Sequence, residues 1–234
     1  MAGAPAPTEF PTLASLTWRH RADTGITLSG SDVTQWDDME GDADVNTSEG
    51  GGAPQFSAAG GPNGEPCVIF DGSDDILAAD GLTAVAGTSV HTFVVCQQNS
   101  WTVYEQAMAY EGDGGYNFNI CKSYGESPAV VHGTPYADYV NSVTGMVIGE
   151  WHLYQAYWND SASAFAQVDD GTPATGSTGA FTQDLVRCVM AADNNMTSLP
   201  SDFAIAEHVM SVTRVTGDDL TQLMDYFNDR YDLW

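Results

Sequence analysis

Short apolar runs recur along this chain with clusters of Gly, Asn, Asp and Pro between them, and that punctuation limits the fold more than any other feature. The breaks include GGGAP at 50–54, GGPNGEP at 60–66, GDGG at 112–115 and DDGTP at 169–173. Between them the runs alternate. Tyr116, Phe118 and Ile120 are apolar against Asn117 and Asn119; Val186, Cys188 and Met190 share a face opposite Arg187; Ala164, Ala166 and Val168 oppose Ser163 and Gln167. A period of two gives strands with one dry and one wet face. HTFVVC at 91–96 and WHLYQAYW at 151–158 are apolar on both faces, which predicts central strands.

One segment is helical by the same test. Leu220, Leu223, Met224, Phe227 and Tyr231 fall on one stripe, Thr216 stands as N-cap, Asp218 and Asp219 occupy the first turn and Arg230 the last. A helix over about 218–231 should pack on the strands. The reading is an all-β chain, a two-sheet antiparallel jelly-roll sandwich with one C-terminal α-helix. At 234 residues it forms one domain over 13–234, preceded by a Pro- and Ala-rich arm over 1–12.

Charge narrows the partners. The 32 Asp and Glu outnumber the 6 Lys and Arg, for a formal net charge of −26. Phosphate attraction becomes repulsion at such a surface, so nucleic acid is excluded as a partner. Mutual carboxylate repulsion eases in salt, which suits a saline habitat. No run of about 20 apolar residues offers a membrane span, and 1–13 lacks the basic start and apolar stretch of a secretory signal. Cys67, Cys96, Cys121 and Cys188 form no C-x-x-C pair and read as buried thiols.

The stretch LTWRHRADTGITLSGSDVTQWDDMEGDA, then GAPQF, then NGEPCVIFDGSDDIL resembles the opening of laminin-G-like, concanavalin-A-like jelly-roll domains. GTSVHTFVV, EWHLYQAYWND, the turn at Val168 to Gly171, and FAIAEHVMSV running into NDRYDL continue the resemblance over 13–234. It implies a sandwich used for sugar binding, adhesion or virion architecture, and in some branches glucan hydrolysis. Trp36, Phe70, Asp71 and Gly72 read as core and turn residues.

No catalytic constellation emerges. The glucanases that this family implies carry an E-x-D-x-E or E-x-D-x-x-E strand, which places two carboxylates about 5 Å apart. The nearest match, Glu111-Gly-Asp113-Gly-Gly-Tyr116, lacks the second Glu and reads as a turn. There is no G-x-S-x-G, and the five histidines, His20, His91, His132, His152 and His208, form no i, i+4 pair. They read as structural. A non-enzyme is expected, with no cofactor unless calcium binds: Asp113 with Asn117, Asp71 with Asp74 and Asp75, and Asp169 with Asp170 offer oxygen ligands. For stacking on sugar rings the candidates are Trp101, Tyr104, Tyr116, Tyr124 and Tyr136, in a region that also holds Tyr110 and Tyr139.

These readings together lead to a virion structural protein: a capsid decoration, turret, spike or fibre component, made in the host cytoplasm and displayed on the particle surface. It would form homo-oligomers and meet other virion proteins through its arm or sheet edges. The alternative is a lectin-like adhesion module that binds a cell-surface polysaccharide, such as a host glycan. A third is a degenerate glycan hydrolase.

Overall fold

The computed structural model describes residues 9–13, 15–41, 43–47, 51–85, 89–100, 106–112, 116–121, 130–132, 139–140, 145–159, 163–176, 184–192 and 201–234. Residues 80–81, 83–85, 106, 112, 116–121, 130–132 and 139 are described as backbone only. The strands are β1 (Leu16–Arg21), β2 (Ile26–Ser29), β3 (Asp32–Trp36), β4 (Val45–Asn46), β5 (Gln55–Ser57), β6 (Cys67–Asp71), β7 (Leu77–Val85), β8 (Ser89–Gln98) and β9 (Gln106–Gly112). They continue as β10 (Tyr116–Cys121), β11 (Val130–His132), β12 (Tyr139–Val140), β13 (Trp151–Asn159), β14 (Ala164–Val168), β15 (Ala174–Gly176), β16 (Leu185–Met190) and β17 (Asp202–Ser211), and the helix α1 (Gly217–Tyr231) follows.

Two antiparallel sheets result. In the first, β17 carries β1 and β6 along one edge and β8 along the other, and β13, β14 and β15 follow outward. The second runs β4, β7, β16, β9, β10, β11, β12. β3 pairs with β4 and with β5, joining the sheets at one corner. The all-β sandwich with one C-terminal helix stands as expected from the alternation. β8 and β13 are central and buried on both faces, as their unbroken apolar runs require.

The interior between the sheets holds Trp18, Trp36, Phe70, Trp158, Met108 and Tyr110, all at most 1% exposed. Ala164, Ala166 and Val168 face it, as the alternation predicts. Gly72 turns the chain at φ +72°, where a Cβ would meet that of Asp202 at 2.9 Å, so no side chain fits. A second cluster lies on the far side of the first sheet, where Phe93, Val95, Leu153 and Val209 receive Leu223, Tyr226, Phe227 and Tyr231 of α1. Each fully buried apolar side chain there contributes about 1.5–3 kcal/mol.

Two expectations need correction. Leu185, not Val186, joins Cys188 and Met190 in the interior, because the register shifts between Leu185 and Arg187 and leaves Val186 as the extra residue of a bulge. The buried face of α1 is wider than the apolar stripe: Tyr226 and Arg230 are buried, while Leu220 and Met224 are half-buried. The cause is a polar group beneath the helix. A bulge between Ile205 and Glu207 turns Glu207 away from the interior and toward α1, where it meets Arg19 Nε at 2.8 Å, Tyr226 Oη at 2.8 Å and Tyr231 Oη at 2.7 Å. Thr216 has the extended backbone of an N-cap but makes no side-chain cap bond.

Of the arm predicted over 1–12, residues 1–8 lie outside the description. Phe10 packs edge-on against Tyr226, and the Arg19 guanidinium lies 3.5 Å from its ring centre. No described helix is long and apolar enough to cross a membrane. Cys67, Cys96 and Cys188 are free, buried thiols. Burial pushes the Cys67 thiol up to about 11 and raises the other two well above the ordinary range.

Candidate functional site

Strand register sets Arg187 and Glu111 side by side on the second sheet, on the face turned away from the interior. One row runs Asp80, Arg187, Glu111, Asn117 across β7, β16, β9 and β10. Within it Arg187 Nη1 donates to Glu111 Oε2 at 3.4 Å, with 16% and 25% of the two side chains exposed. The neighbouring row is Ala78, Val189, Ala109, Asn119, His132, Tyr139, crossing β7, β16, β9, β10, β11 and β12. Ala78, Ala109 and Val189 form a small buried cluster with Ile76 and Ala192. Ala78, Ala109 and Val189 are at most 1% exposed, whereas the ion pair one row further on is partly exposed. Arg187 offers planar donors and Glu111 two acceptor oxygens, the complement of a vicinal pair of hydroxyls.

Of the sequence-predicted sugar-binding residues, only Tyr116 falls within the description. Trp101, Tyr104, Tyr124 and Tyr136 lie outside the described residues, and Tyr116 is described as backbone, paired with Gly112. Of the predicted cation ligands, Asp113 lies outside and Asn117 is described only by its pairing with Glu111. Sequence reading missed the Arg187–Glu111 pair because the residues are 76 positions apart. Alternation placed Arg187 on the wet face, but nothing in the sequence named its partner.

A candidate metal centre lies at the β6 end. Asp71, Asp74 and Asp75 each offer an oxygen, and these atoms lie within 4.8 Å of one another. Three carboxylates would supply part of the six to eight oxygens that Ca²⁺ takes. Two of them also brace backbone: Asp75 Oδ2 accepts from the Asp71 amide at 2.9 Å, and Asp71 Oδ1 from the Ser73 amide at 2.8 Å. Burial, then the charges of Asp71, Asp74 and Asp32, raises the Asp75 carboxyl above its ordinary range. Asp169 is committed elsewhere, to His152 Nδ1 at 2.7 Å and the Leu153 amide at 2.8 Å.

The four histidines whose side chains are described, His20, His91, His152 and His208, have both ring nitrogens engaged. His20 Nε2 donates to the Ala43 carbonyl at 2.9 Å, so a neutral ring accepts at Nδ1, and His208 Nδ1 donates to it at 3.2 Å. His208 Nε2 then accepts from Tyr110 Oη at 2.6 Å, which in turn accepts from Thr92 Oγ1 at 2.7 Å. Thr92 Oγ1 also lies 3.4 Å from the Val209 carbonyl. Burial holds both rings below their ordinary value. His152 resembles half of a catalytic dyad with Asp169, but its Nε2 accepts the Val147 amide at 3.1 Å and has no lone pair left for a nucleophile.

No family profile matches the sequence, and no curated protein is similar to it. Solved structures share its fold. Domain 4 of an extracellular family-43 arabinanase from Geobacillus stearothermophilus, in complex with arabinotriose, covers 91% of this chain and 98% of its own, with a TM-score of 0.61 at 13% identity. A mutant of Trypanosoma rangeli sialidase displaying trans-sialidase activity covers 100% of this chain but only 36% of its own, with a TM-score of 0.61 at 11% identity. A family-54 α-L-arabinofuranosidase covers 86% of this chain and 51% of its own, with a TM-score of 0.60 at 12% identity. This chain thus spans about a third of the sialidase and half of the arabinofuranosidase. At such identities the likeness is one of fold, consistent with a concanavalin-A-like jelly roll.

These likenesses overturn the expectation of a virion structural protein, since they are to domains of glycan-acting enzymes. The error has a physical source. A sandwich without a recognisable nucleophile is common to adhesive, binding and hydrolytic proteins, so a missing motif does not choose among them.

Proposed function

We propose that this domain is a lectin-like module that binds polysaccharide chains on the outward face of its second sheet. The observation that carries the reading is the partly open Arg187–Glu111 pair, a donor fork and an acceptor pair side by side on a rigid antiparallel sheet. Sugar hydroxyls need both kinds of partner at fixed spacing, and strands hold them more firmly than loops. Further support comes from the arabinanase domain, which matches this chain almost end to end and was determined with arabinotriose bound. In the sequence, Trp101 and Tyr104 lie just before β9, and Tyr116, Tyr124 and Tyr136 lie between β9 and β12.

In this reading the sugar chain is held and no bond is broken. The test is retention of the domain on immobilised arabinan and other plant or bacterial polysaccharides, with soluble oligosaccharide as competitor. Wild type should be retained and displaced, and Glu111→Gln and Arg187→Met should pass through. Release of reducing ends from the same polymers, abolished in Glu111→Gln, would instead make the domain a hydrolase. No retention on any polysaccharide would remove the proposal.

A further inference from the structure

The chain has five arginines against 32 carboxylates, so an arginine without a carboxylate needs a reason. Arg19 holds Glu207, Arg21 holds Asp23, Arg187 holds Glu111, and Arg230 holds Asp23 and Glu65. Arg214 is the exception among the described residues. Its guanidinium lies over two aromatic rings on the outward face of the first sheet, 5.0 Å from the centre of Tyr157 and 5.0 Å from that of Phe165.

The mount is built from the core outward. Tyr157 and Phe165 are register partners on β13 and β14, each 7% exposed, with ring centres 5.7 Å apart. Both meet the buried His91 ring edge-on at 5.5 Å. His91 Nδ1 accepts the Val215 amide at 3.0 Å, which fixes the backbone beside Arg214. The Gln155 side-chain amide closes the other side of the ring, its Nε2 2.9 Å from His91 Nε2. Arg214 itself is exposed. An exposed guanidinium seated over aromatic rings still has N–H donors to offer a carboxylate.

We propose that Arg214, seated on Tyr157 and Phe165, receives the carboxylate of an acidic sugar residue, a second saccharide contact on the sheet opposite the Arg187–Glu111 row. The inference rests on the glycan-binding reading and adds a substrate class to it. The surplus negative charge of the chain opposes an acidic ligand at long range, and salt screens that opposition while the contact pair persists. Specificity then comes from the fork, since an ester of the same sugar cannot accept two charge-assisted bonds.

The experiment follows the five arginine Nε–H resonances during titration of the whole protein with oligogalacturonate, its methyl ester and arabino-oligosaccharide, at about 0.3 M salt, where the Debye length is below 8 Å. The acid should shift the Arg214 resonance and bind about tenfold more tightly than the ester, with that advantage lost in Arg214→Gln and only partly restored in Arg214→Lys. Equal binding of acid and ester by wild type and Arg214→Gln, with arabino-oligosaccharide still bound, overturns this inference and leaves the glycan-binding reading. Failure of every saccharide to bind overturns both. An Arg214 shift produced as strongly by a polyglutamate peptide as by the acidic sugar overturns the assignment to sugar.

Discussion

The two outward faces of the sandwich treat charge differently. On the first sheet α1 covers the centre, and the ion pair beneath it is sealed: Glu207 is 0% exposed, Arg19 5%, and both carboxylate oxygens are taken by Arg19, Tyr226 and Tyr231. On the second sheet no described helix lies over the Arg187–Glu111 pair, whose side chains are 16% and 25% exposed. A sealed pair is held by its whole surroundings and serves the fold. A pair at the edge of water, partly exposed, contributes less to stability than a sealed one, on the order of 1 kcal/mol.

The largest effect that would break this contrast is removal of the cover. Truncation before Gly217 strips Leu223, Tyr226, Phe227 and Tyr231 from the first sheet and leaves Glu207 without its tyrosines, so the protein should fail to fold or should aggregate on purification. A soluble, cooperatively melting truncate would mean that α1 is an ornament. Next comes Glu207→Ala, which leaves Arg19 buried without its carboxylate and should cost about 3–5 kcal/mol in urea unfolding. A cost below about 1 kcal/mol would erase the distinction between the two faces.

Acid sharpens the comparison from within. Burial holds His20, His91 and His208 below the ordinary 6.5, His91 at about 3 with a contribution from Arg214. The unfolded chain takes up these protons near pH 6.5 and the folded chain does not. Stability is therefore complete above that pH and falls as pH drops below it, by about 1.4 kcal/mol per unit for each histidine. Urea midpoints measured from pH 7 to 5 should fall steeply, and His208→Gln should flatten the slope while lowering the plateau. The smallest expected change is in stability on the open face: Arg187→Met and Glu111→Gln should each move unfolding by less than about 1 kcal/mol while abolishing polysaccharide retention.

Much of the architecture was legible because it depends on local pattern. The alternation of Ala164, Ala166 and Val168 and the two-faced apolar runs of β8 and β13 each report their own burial, and the stripe of α1 does so at Leu223, Phe227 and Tyr231. Bulges were not legible. One extra residue at Val186 and one between Ile205 and Glu207 invert the pattern downstream, and both depend on partner strands far away in sequence. The site was legible only in part. Arg187 stood out as the polar member of an alternating strand, whereas its meeting with Glu111, the gathering of Asp71, Asp74 and Asp75, and the His20–His208 contact arise from tertiary pairing. The sequence-based choice of a virion role failed at a different step. It drew a function from a fold and an absence, and neither contains information about ligands.

The most direct test of the account is an amide NMR titration of the intact protein with an arabino-oligosaccharide. Saturable shifts should map to 108–112 on β9 and 186–190 on β16, leave α1 unmoved, and disappear in Arg187→Met. Shifts centred on α1, or none at millimolar sugar, would contradict the assignment of glycan binding to the open face of the second sheet.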